Sequence, residues 1–391
     1  MVLNRNFNGM RLKEGRIYRG FTITELAEYL NVSKQMVSKY ENSHAEPSFE
    51  TVHKIANYLD FPFHYFYEEP VNVTLGNTYF RSLLSTGKKE REMQLDRIKY
   101  ITILRKMLEE YIDFPELDLL VGFDYQDDIE EFTQQLRTYW GLGDKPIKDI
   151  VFLLEERGFI ISSLYLDNKS IDAFGAICSI REKEYYSIVL SSDKQSFYRR
   201  QFDVAHELGH ALLHEPTIIF NDLDKEEQKQ IEKEANDFAA AFLLPKESFL
   251  RDITMHPSDL DYYKMLKKKW GVSISAMLMR AYKLGAINDG TYQYMQRMIS
   301  KKGWRKKEPY DDIKEVSEPI ANRQAIELLI ENDYFTGPEL IKILSKEYGL
   351  TIHPSEIESL LGLEKGYLLS KEEPVTNNIV QLKTIRNMES C

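Results

Sequence analysis

The chain has 391 residues, of which 43% are hydrophobic, and this length suffices for two or three packed domains because a single core stops growing at about 250 to 300 residues. A net charge of −11 argues against wholesale coating of nucleic acid, and two cysteines provide neither a disulfide framework nor a cysteine-rich zinc module. The sequence contains no run of about 18 apolar residues and no apolar leader, so we expect a cytoplasmic protein.

The charge is distributed unevenly along the chain. Residues 1–67 carry eight Lys and Arg against seven acidic residues, which leaves +1 in this segment and −12 in the remainder. Any contact with nucleic acid is therefore expected near the N-terminus.

Hydrophobic periodicity predicts helical regions on both sides of an α+β region. Residues 9–67 read as short helices, and residues 71–125 read as a polar stretch followed by a helix over 90–112. Strands are predicted over 159–166, 173–180 and 185–191. Helices are predicted over 129–140, 147–157, 196–214 and 225–243, and further along near 318–332, 337–347 and 354–361. We therefore divide the chain into a helical domain, a helical connector, an α+β domain, and a helical extension with a polar tail, at residues 1–69, 70–125, 126–315 and 316–391.

Residues 22–42 have the pattern of two helices joined by a short turn at Asn31 and Val32, which is helix-turn-helix geometry. The apolar residues expected to pack between these helices are Leu26, Ala27, Leu30, Val32, Val37 and Tyr40. Packing does not explain the polar outward face of the second helix. Its side chains are hydrogen-bond donors suited to base edges and phosphates, at Lys34, Gln35, Ser38 and Lys39.

The segment from RLKEGRIYRG to FPFHYF, residues 11–66, resembles the Xre-like, Cro-type repressor family. The resemblance implies a five-helix domain that binds double-stranded operator DNA, commonly as a homodimer. Ile23 departs from the family, which often carries Gln there, so a contact can be missing at that position. The residues implied to read or flank the major groove, or to lie near the DNA backbone, are Ser33, Lys34, Gln35, Ser38, Lys39 and Asn42. The alternative is a helical bundle that serves only protein binding or dimerisation.

The segment FDVAHELGHALLH contains His206, Glu207 and His210. Four-residue spacing on a helix places both imidazoles on one face, within reach of one ion. Glu207 projects beside them and can deprotonate an attacking water without binding the metal. Zinc is the expected cofactor, Zn²⁺, because imidazole and carboxylate ligands suit it.

A third ligand is expected from the next helix, IEKEANDFAAAFLLP. Its apolar stripe is bordered by Glu232 and Asn236, so Glu232 can reach the metal while Asn236 supports a ligand His. We prefer Glu232 over Glu234, which lies about 200° around the helix. His214, one further turn along the first helix, is interpreted as a helix-end residue that contacts the fold.

The segments RRQFDVAHELGHALLH and EKEANDFAAAFLLP, together with DAFG at residues 172–175, resemble the ImmA/IrrE family of metallopeptidases over about residues 126–310. The resemblance implies a zincin-like, more narrowly gluzincin-like, site with His206, His210 and Glu232 as ligands and Glu207 as general base. It also implies substrates that are often Xre-like repressors. Here a repressor-like domain is fused to the peptidase-like domain in one chain.

The sequence therefore favours a DNA-binding regulator with a zinc endopeptidase domain that cleaves a repressor or antitoxin protein, in trans or in its own chain. Two alternatives remain open. One is a non-catalytic transcription factor whose zinc domain senses a ligand or protein partner. The other is an antitoxin-like or phage-immunity component that acts by binding alone.

Overall fold

The fold is that of a computed structural model, which describes residues 6–69, 73–79, 88–119, 128–166, 172–180, 182–193, 196–214 and 223–369. The polar tail expected after residue 369 lies outside these ranges. The described chain is mostly helical and contains one small mixed sheet.

The N-terminal domain begins with four α-helices and ends with a 3-10 helix, which confirms the expected five-helix pattern with a shorter last member. The helices are α1 (Gly9–Tyr18), α2 (Ile23–Leu30), α3 (Lys34–Glu41), α4 (Phe49–Leu59) and the 3-10 helix Phe63–Tyr67. The side chains of Thr22, Ser33 and Ser48 cap α2, α3 and α4, each accepting a backbone N–H three residues later. Asn31 ends α2 in the left-handed conformation at φ 54°, so the chain turns directly into α3.

A four-stranded sheet lies at the centre of the molecule, in the order β1-β3-β4-β2. Its strands are β1 (Thr74–Tyr79), β2 (Ile160–Leu164), β3 (Ala173–Ile180) and β4 (Lys183–Ser191). β2 runs parallel to β4 and the other two pairings are antiparallel. β1 was not predicted from the sequence; it falls in the connector and adds an edge strand beside β3.

The remaining helices surround this sheet. They are α5 (Lys88–Leu108), α6 (Ile129–Tyr139), α7 (Ile150–Glu155), α8 (Phe197–Leu213), α9 (Lys225–Leu243), α10 (Lys246–Ile253), α11 (Leu260–Trp270), α12 (Ile274–Lys283), α13 (Asp289–Lys301), α14 (Ala321–Glu331), α15 (Gly337–Tyr348) and α16 (Pro354–Leu361). α7 is shorter than the predicted 147–157, because the Asp149 side chain caps it by accepting from Val151 N. α5 ends at Leu108 rather than at 112, where the chain closes in a turn.

The two faces of the sheet pack into two different hydrophobic clusters. Phe174, Cys178 and Val189 lie in the cluster that also contains the N-terminal helices, α5 and the C-terminal helices. Ile177 and Ile188 lie in the cluster formed with α6 to α13. Cys178 is fully buried, and burial raises the pKa of its thiol to about 11. The sheet therefore separates the expected metal-binding helices from the helix-turn-helix layer.

The C-terminal helices contact the N-terminal domain through polar side chains. Glu356, on α16, accepts a hydrogen bond from Tyr18 Oη at 2.5 Å and pairs with Arg19 Nη1 at 2.7 Å. Burial alone would raise the pKa of Glu356, but the charge of Arg19 and the hydrogen bonds from Tyr18 and Arg19 outweigh burial and hold that pKa below its usual value. Arg11 Nη2 donates to the carbonyl of Gly349 at 2.6 Å. Ser162 of β2 donates from Oγ to the Leu360 carbonyl oxygen of α16 at 2.8 Å, so the C-terminal extension also contacts the sheet.

A buried ion cluster holds the charged loop after α13 against the α+β domain. Lys267 Nζ lies 2.9 Å from Glu308 Oε2 and 2.6 Å from Asp311 Oδ1, and all three side chains are buried. The Glu308 carboxylate also accepts the backbone N–H groups of Ile274 and Ser275 at the start of α12. Glu308 and Asp311 therefore hold the loop through their salt bridges with Lys267, and Glu308 also caps α12.

Candidate functional site

The expected metal ligands come from two helices that approach each other closely. Gly209 on α8 faces Ala235 on α9, and a Cβ at position 209 would lie 3.2 Å from the Ala235 Cα and carbonyl oxygen. Glycine in a helix interior costs about 1 kcal/mol relative to alanine, so the close approach of the two helices comes at the expense of helix propensity. The short spacing brings a carboxylate of α9 within reach of the imidazoles of α8.

His206, His210 and Glu232 each offer one ligand atom, and these three atoms lie within 4.8 Å of one another. The two Nε2 atoms are 3.0 Å apart, and the Glu232 carboxylate oxygens lie 3.5 Å from His206 Nε2 and 3.6 Å from His210 Nε2. Ligands held at about 2.0–2.1 Å from a tetrahedral zinc ion lie about 3.3–3.4 Å apart. The donor set therefore fits zinc in type and in spacing, with three protein groups on one side of the site.

The electrostatics of His210 also suit a metal ligand. Burial lowers the pKa of His210 well below its usual value, and the nearby rings of His206 and His214 lower it further. The ring is therefore neutral near pH 7 and has a lone pair to offer, as coordination requires.

Glu207 lies beside this group and is almost completely buried, with 6% of its surface exposed. Burial raises the pKa of Glu207 well above its usual value, and the carboxylates of Glu232 and Asp203 raise it further, while a hydrogen bond from the Gly175 N–H acts in the opposite direction. Its Oε2 atom is buried with no hydrogen-bond partner among the described residues. Such an oxygen is available to a water or a substrate group, and a carboxyl with a raised pKa is suited to proton transfer near neutral pH.

Several polar residues surround the ligand candidates. Asn236 donates from Nδ2 to the Glu232 carbonyl oxygen at 2.6 Å, and its support of a ligand His stays a prediction. His214 ends α8 and contacts His210, as a helix-end residue in contact with the fold was expected to do. Glu234, the less favoured ligand candidate, lies 3.2 Å from His214 Nε2.

Open space adjoins Glu232, one of the three ligand candidates. A cavity of about 640 Å³ is lined by Glu232 and Asn236 from α9, by Phe202 from α8 and by Met279 from α12. A second cavity of about 1010 Å³ shares Phe202 and Met279 and extends to the charged loop after α13. The site is therefore accessible to a ligand much larger than water.

Sequence reasoning missed two contacts at this site. The Gly175 N–H, which bonds to Glu207, belongs to the DAFG segment, yet backbone donors leave no pattern in side-chain identity. The contact between His214 and Glu234 joins residues 20 positions apart on two helices. The four-residue spacing of His210 and His214 indicates only that these two rings are neighbours and does not point to Glu234.

In the N-terminal domain, α3 buries Val37, Tyr40 and Glu41 and presents its opposite face to solvent. Glu41 forms a buried pair with Arg16 of α1 that ties the two helices together. The residues expected to read DNA lie on the accessible side: Ser33, Lys34, Gln35, Lys39 and Asn42 are exposed and Ser38 is half-buried. Two of them also bond within the helix, because the Ser33 hydroxyl accepts from Met36 N and the Asn42 amide donates to the Ser38 carbonyl.

Two segments of the chain match known protein families. Residues 12–66 match the family described as helix-turn-helix, and residues 155–282 match the peptidase M78 family, described as an IrrE N-terminal-like domain. The chain therefore joins a helix-turn-helix DNA-binding domain of the Xre-like type to a domain of the IrrE and ImmA metallopeptidase type. This confirms both resemblances found in the sequence.

A curated relative supports the N-terminal assignment. A protein of Methanococcus vannielii described as an HTH-type transcriptional regulatory protein is 44% identical over 57 residues, which are 15% of this chain and 17% of that protein. The chain therefore spans less than a fifth of the length of that protein. Within the described residues, none of the helices is both long enough and apolar enough to cross a membrane.

Proposed function

We propose that this chain is a DNA-binding regulator whose second domain is a zinc-dependent endopeptidase that hydrolyses a peptide bond in a repressor-like or antitoxin protein, in trans or in its own chain. The observation that carries the enzymatic part is the convergence of His206, His210 and Glu232 beside the buried carboxyl of Glu207. A three-ligand set with an adjoining cavity is what a hydrolytic zinc site requires, because a fourth position must remain open.

Each residue has a distinct role in this proposal. His206, His210 and Glu232 would hold zinc, which would polarise the scissile carbonyl and lower the pKa of water towards about 7. Glu207 takes the proton of the attacking water and delivers it to the leaving amine. The cavity beside Glu232 receives the polypeptide that flanks the scissile bond.

The N-terminal domain would direct this activity to an operator. In the proposal, α3 enters the major groove of double-stranded DNA, and a homodimer binds a site with two-fold symmetry. The contacting residues would be Ser33, Lys34, Gln35, Ser38, Lys39 and Asn42. Support comes from the exposure of this face and from the helix-turn-helix match.

The second candidate function is a non-catalytic transcription factor whose zinc domain senses a ligand or protein partner. One observation favours it: the helix-turn-helix domain packs in a single hydrophobic cluster with one face of the sheet that supports the metal site. Packed elements transmit displacements, so occupancy of the zinc domain could alter DNA binding without any cleavage.

The experiment compares full-length wild type with Glu207→Gln, which removes the base and retains the proposed ligands, and with Glu226→Gln, a matched change at an exposed position of α9. Zinc content is measured by elemental analysis. Each protein is incubated alone and with a panel of Xre-like repressors and antitoxins, and new termini are identified by mass spectrometry. We expect zinc in all three and cleavage that falls by about 10²–10⁴-fold only in Glu207→Gln.

Other outcomes separate the candidates. If wild type holds zinc and cuts neither itself nor any panel protein, the endopeptidase proposal is wrong. The sensor function then requires that zinc removal change operator affinity. A wild-type protein without zinc would exclude both.

A further inference from the structure

Both ring nitrogens of His210 are engaged, and on opposite sides. Nε2 faces His206 and Glu232, whereas Nδ1 lies 3.1 Å from Nδ1 of His214. His210 is 1% exposed and His214 is 8% exposed, so both rings lie away from solvent. The second ring in turn lies 3.2 Å, through its Nε2, from Oε2 of Glu234.

Counting protons fixes the direction of these hydrogen bonds once Nε2 of His210 is a metal ligand. A neutral imidazole that coordinates through Nε2 carries its hydrogen on Nδ1 and donates it to Nδ1 of His214. His214 must then carry its own hydrogen on Nε2, where it donates to the Glu234 carboxylate. One hydrogen therefore lies between His210 and His214, and one lies between His214 and Glu234. Both imidazoles can then be neutral.

We propose that His214 and Glu234 are positioning residues that fix the tautomer and ring orientation of His210 at the metal site. This inference rests on the proposed function, because it presumes zinc at His206, His210 and Glu232. A carboxylate at the end of a hydrogen-bonded path increases the basicity of a ligand imidazole and prevents its rotation. Glu234 and Glu232 lie on the same helix, so α9 both ligates the ion and orients a ligand of α8.

The position of Glu234 is itself supported within α9. Its Oε1 accepts a hydrogen bond from Gln230 Nε2 at 2.7 Å, leaving Oε2 directed to His214. The side chain of Glu234 is 24% exposed, whereas that of His214 is 4% exposed. The hydrogen-bonded path thus runs from the partly exposed carboxylate of Glu234 through the buried imidazole of His214 to the proposed ligand His210.

The test measures zinc affinity and tautomer in the full-length protein. Three variants are compared with wild type: His214→Phe has no acceptor for the Nδ1 hydrogen of His210, His214→Asn retains one, and Glu234→Gln weakens the outer contact. Glu226→Gln is the matched control for the last. Zinc dissociation constants come from competition with a chromogenic chelator, and long-range ¹H–¹⁵N NMR of the zinc-loaded protein reports which nitrogen of His210 carries hydrogen.

We expect His214→Phe to weaken zinc binding by about 10–100-fold, His214→Asn to recover most of this loss, and Glu234→Gln to give an intermediate value. Wild type should show hydrogen on Nδ1 of His210. The thermal midpoint of each protein with excess chelator separates general destabilisation from the loss of zinc affinity.

Wild-type affinity in His214→Phe, or an equal loss in the Phe and Asn variants, would overturn the inference while leaving the zinc site intact. If His214→Phe does not fold, the zinc dissociation constants of His214→Asn and Glu234→Gln are compared with that of wild type. Equal constants in all three proteins would overturn the inference. Absence of zinc from wild type would instead refute the proposed function.

Discussion

Replacement of Gly209 by alanine tests the close contact between α8 and α9. The new Cβ would lie 3.0 Å from Phe238 Cδ1 and 3.2 Å from the Cα and carbonyl oxygen of Ala235. Carbon atoms in ordinary contact are about 3.5–4.0 Å apart, so the backbone of Ala235 must move away by about 0.3–0.8 Å. The phenyl ring can turn aside, but the backbone of Ala235 moves only with its helix.

Two terms oppose each other in the free energy of unfolding. Overpacking costs about 1–3 kcal/mol, while the exchange of glycine for alanine in a helix contributes about 1 kcal/mol. Metal-free Gly209→Ala should therefore be less stable than wild type by between about 0 and 2 kcal/mol. Zinc affinity should suffer more clearly, because ligand distances must be kept within about 0.2 Å.

We expect the zinc dissociation constant of Gly209→Ala to rise at least tenfold, equivalent to about 1.4 kcal/mol. Competition with a chromogenic chelator measures it, and urea denaturation with excess chelator measures the stability of the metal-free protein. Gly290→Ala is the matched control, since the nearest atom to its new Cβ would be Asn288 Oδ1 at 3.5 Å. An unchanged zinc dissociation constant in Gly209→Ala would refute the argument that helix spacing sets the ligand geometry.

The DNA-reading face, the domain contact and the buried ion cluster each give a further prediction. The double variant Lys34→Ala/Gln35→Ala should bind a selected operator at least tenfold more weakly in electrophoretic shift assays, because each good base contact is worth about 1–3 kcal/mol. The control variant Lys54→Ala should bind the operator as wild type does. If the double variant binds with wild-type affinity, the placement of α3 in the major groove is wrong. Glu356→Gln should lower the free energy of unfolding by about 1–2 kcal/mol. Because the folded-state pKa of Glu356 is lowered, the stability difference between Glu356→Gln and wild type should be full above pH 4.5, the ordinary pKa of the group. This difference should be lost as the pH falls through the lower, folded-state pKa. A stability difference that stays constant in denaturation experiments at several pH values would contradict this. Lys267→Met should cost about 3–5 kcal/mol in urea denaturation, because two carboxylates remain buried without their cation, and a loss under 1 kcal/mol would count against the cluster.

Helical periodicity alone was sufficient to predict from the sequence that the three ligand candidates lie close together. The spacing of His206 and His210 specified one face of α8, and the apolar stripe of α9 selected Glu232 over Glu234. These inferences depend only on the 3.6-residue period, which tertiary contacts scarcely change. The role of Glu234 required the relative placement of the two helices, which no period encodes.

The strand Thr74–Tyr79 could not be predicted by the same means. Its sequence, TLGNTY, lacks the alternation of apolar and polar residues that marks a half-buried strand. It forms because its backbone pairs with β3, where Tyr79 lies opposite Gly175 and Thr74 opposite Ser179. A strand that depends on pairing with its neighbour cannot be predicted from the residues of its own segment.

The division of the sheet faces between two clusters has a practical consequence for protein preparation. A fragment trimmed to the peptidase-like region alone would lose the helices that cover Phe174, Cys178 and Val189. Its freshly exposed apolar surface would favour self-association, and the thiol of Cys178 would become open to oxidation. Separate study of the peptidase-like region therefore requires a redesigned surface on this face of the sheet, or point substitutions in the intact chain.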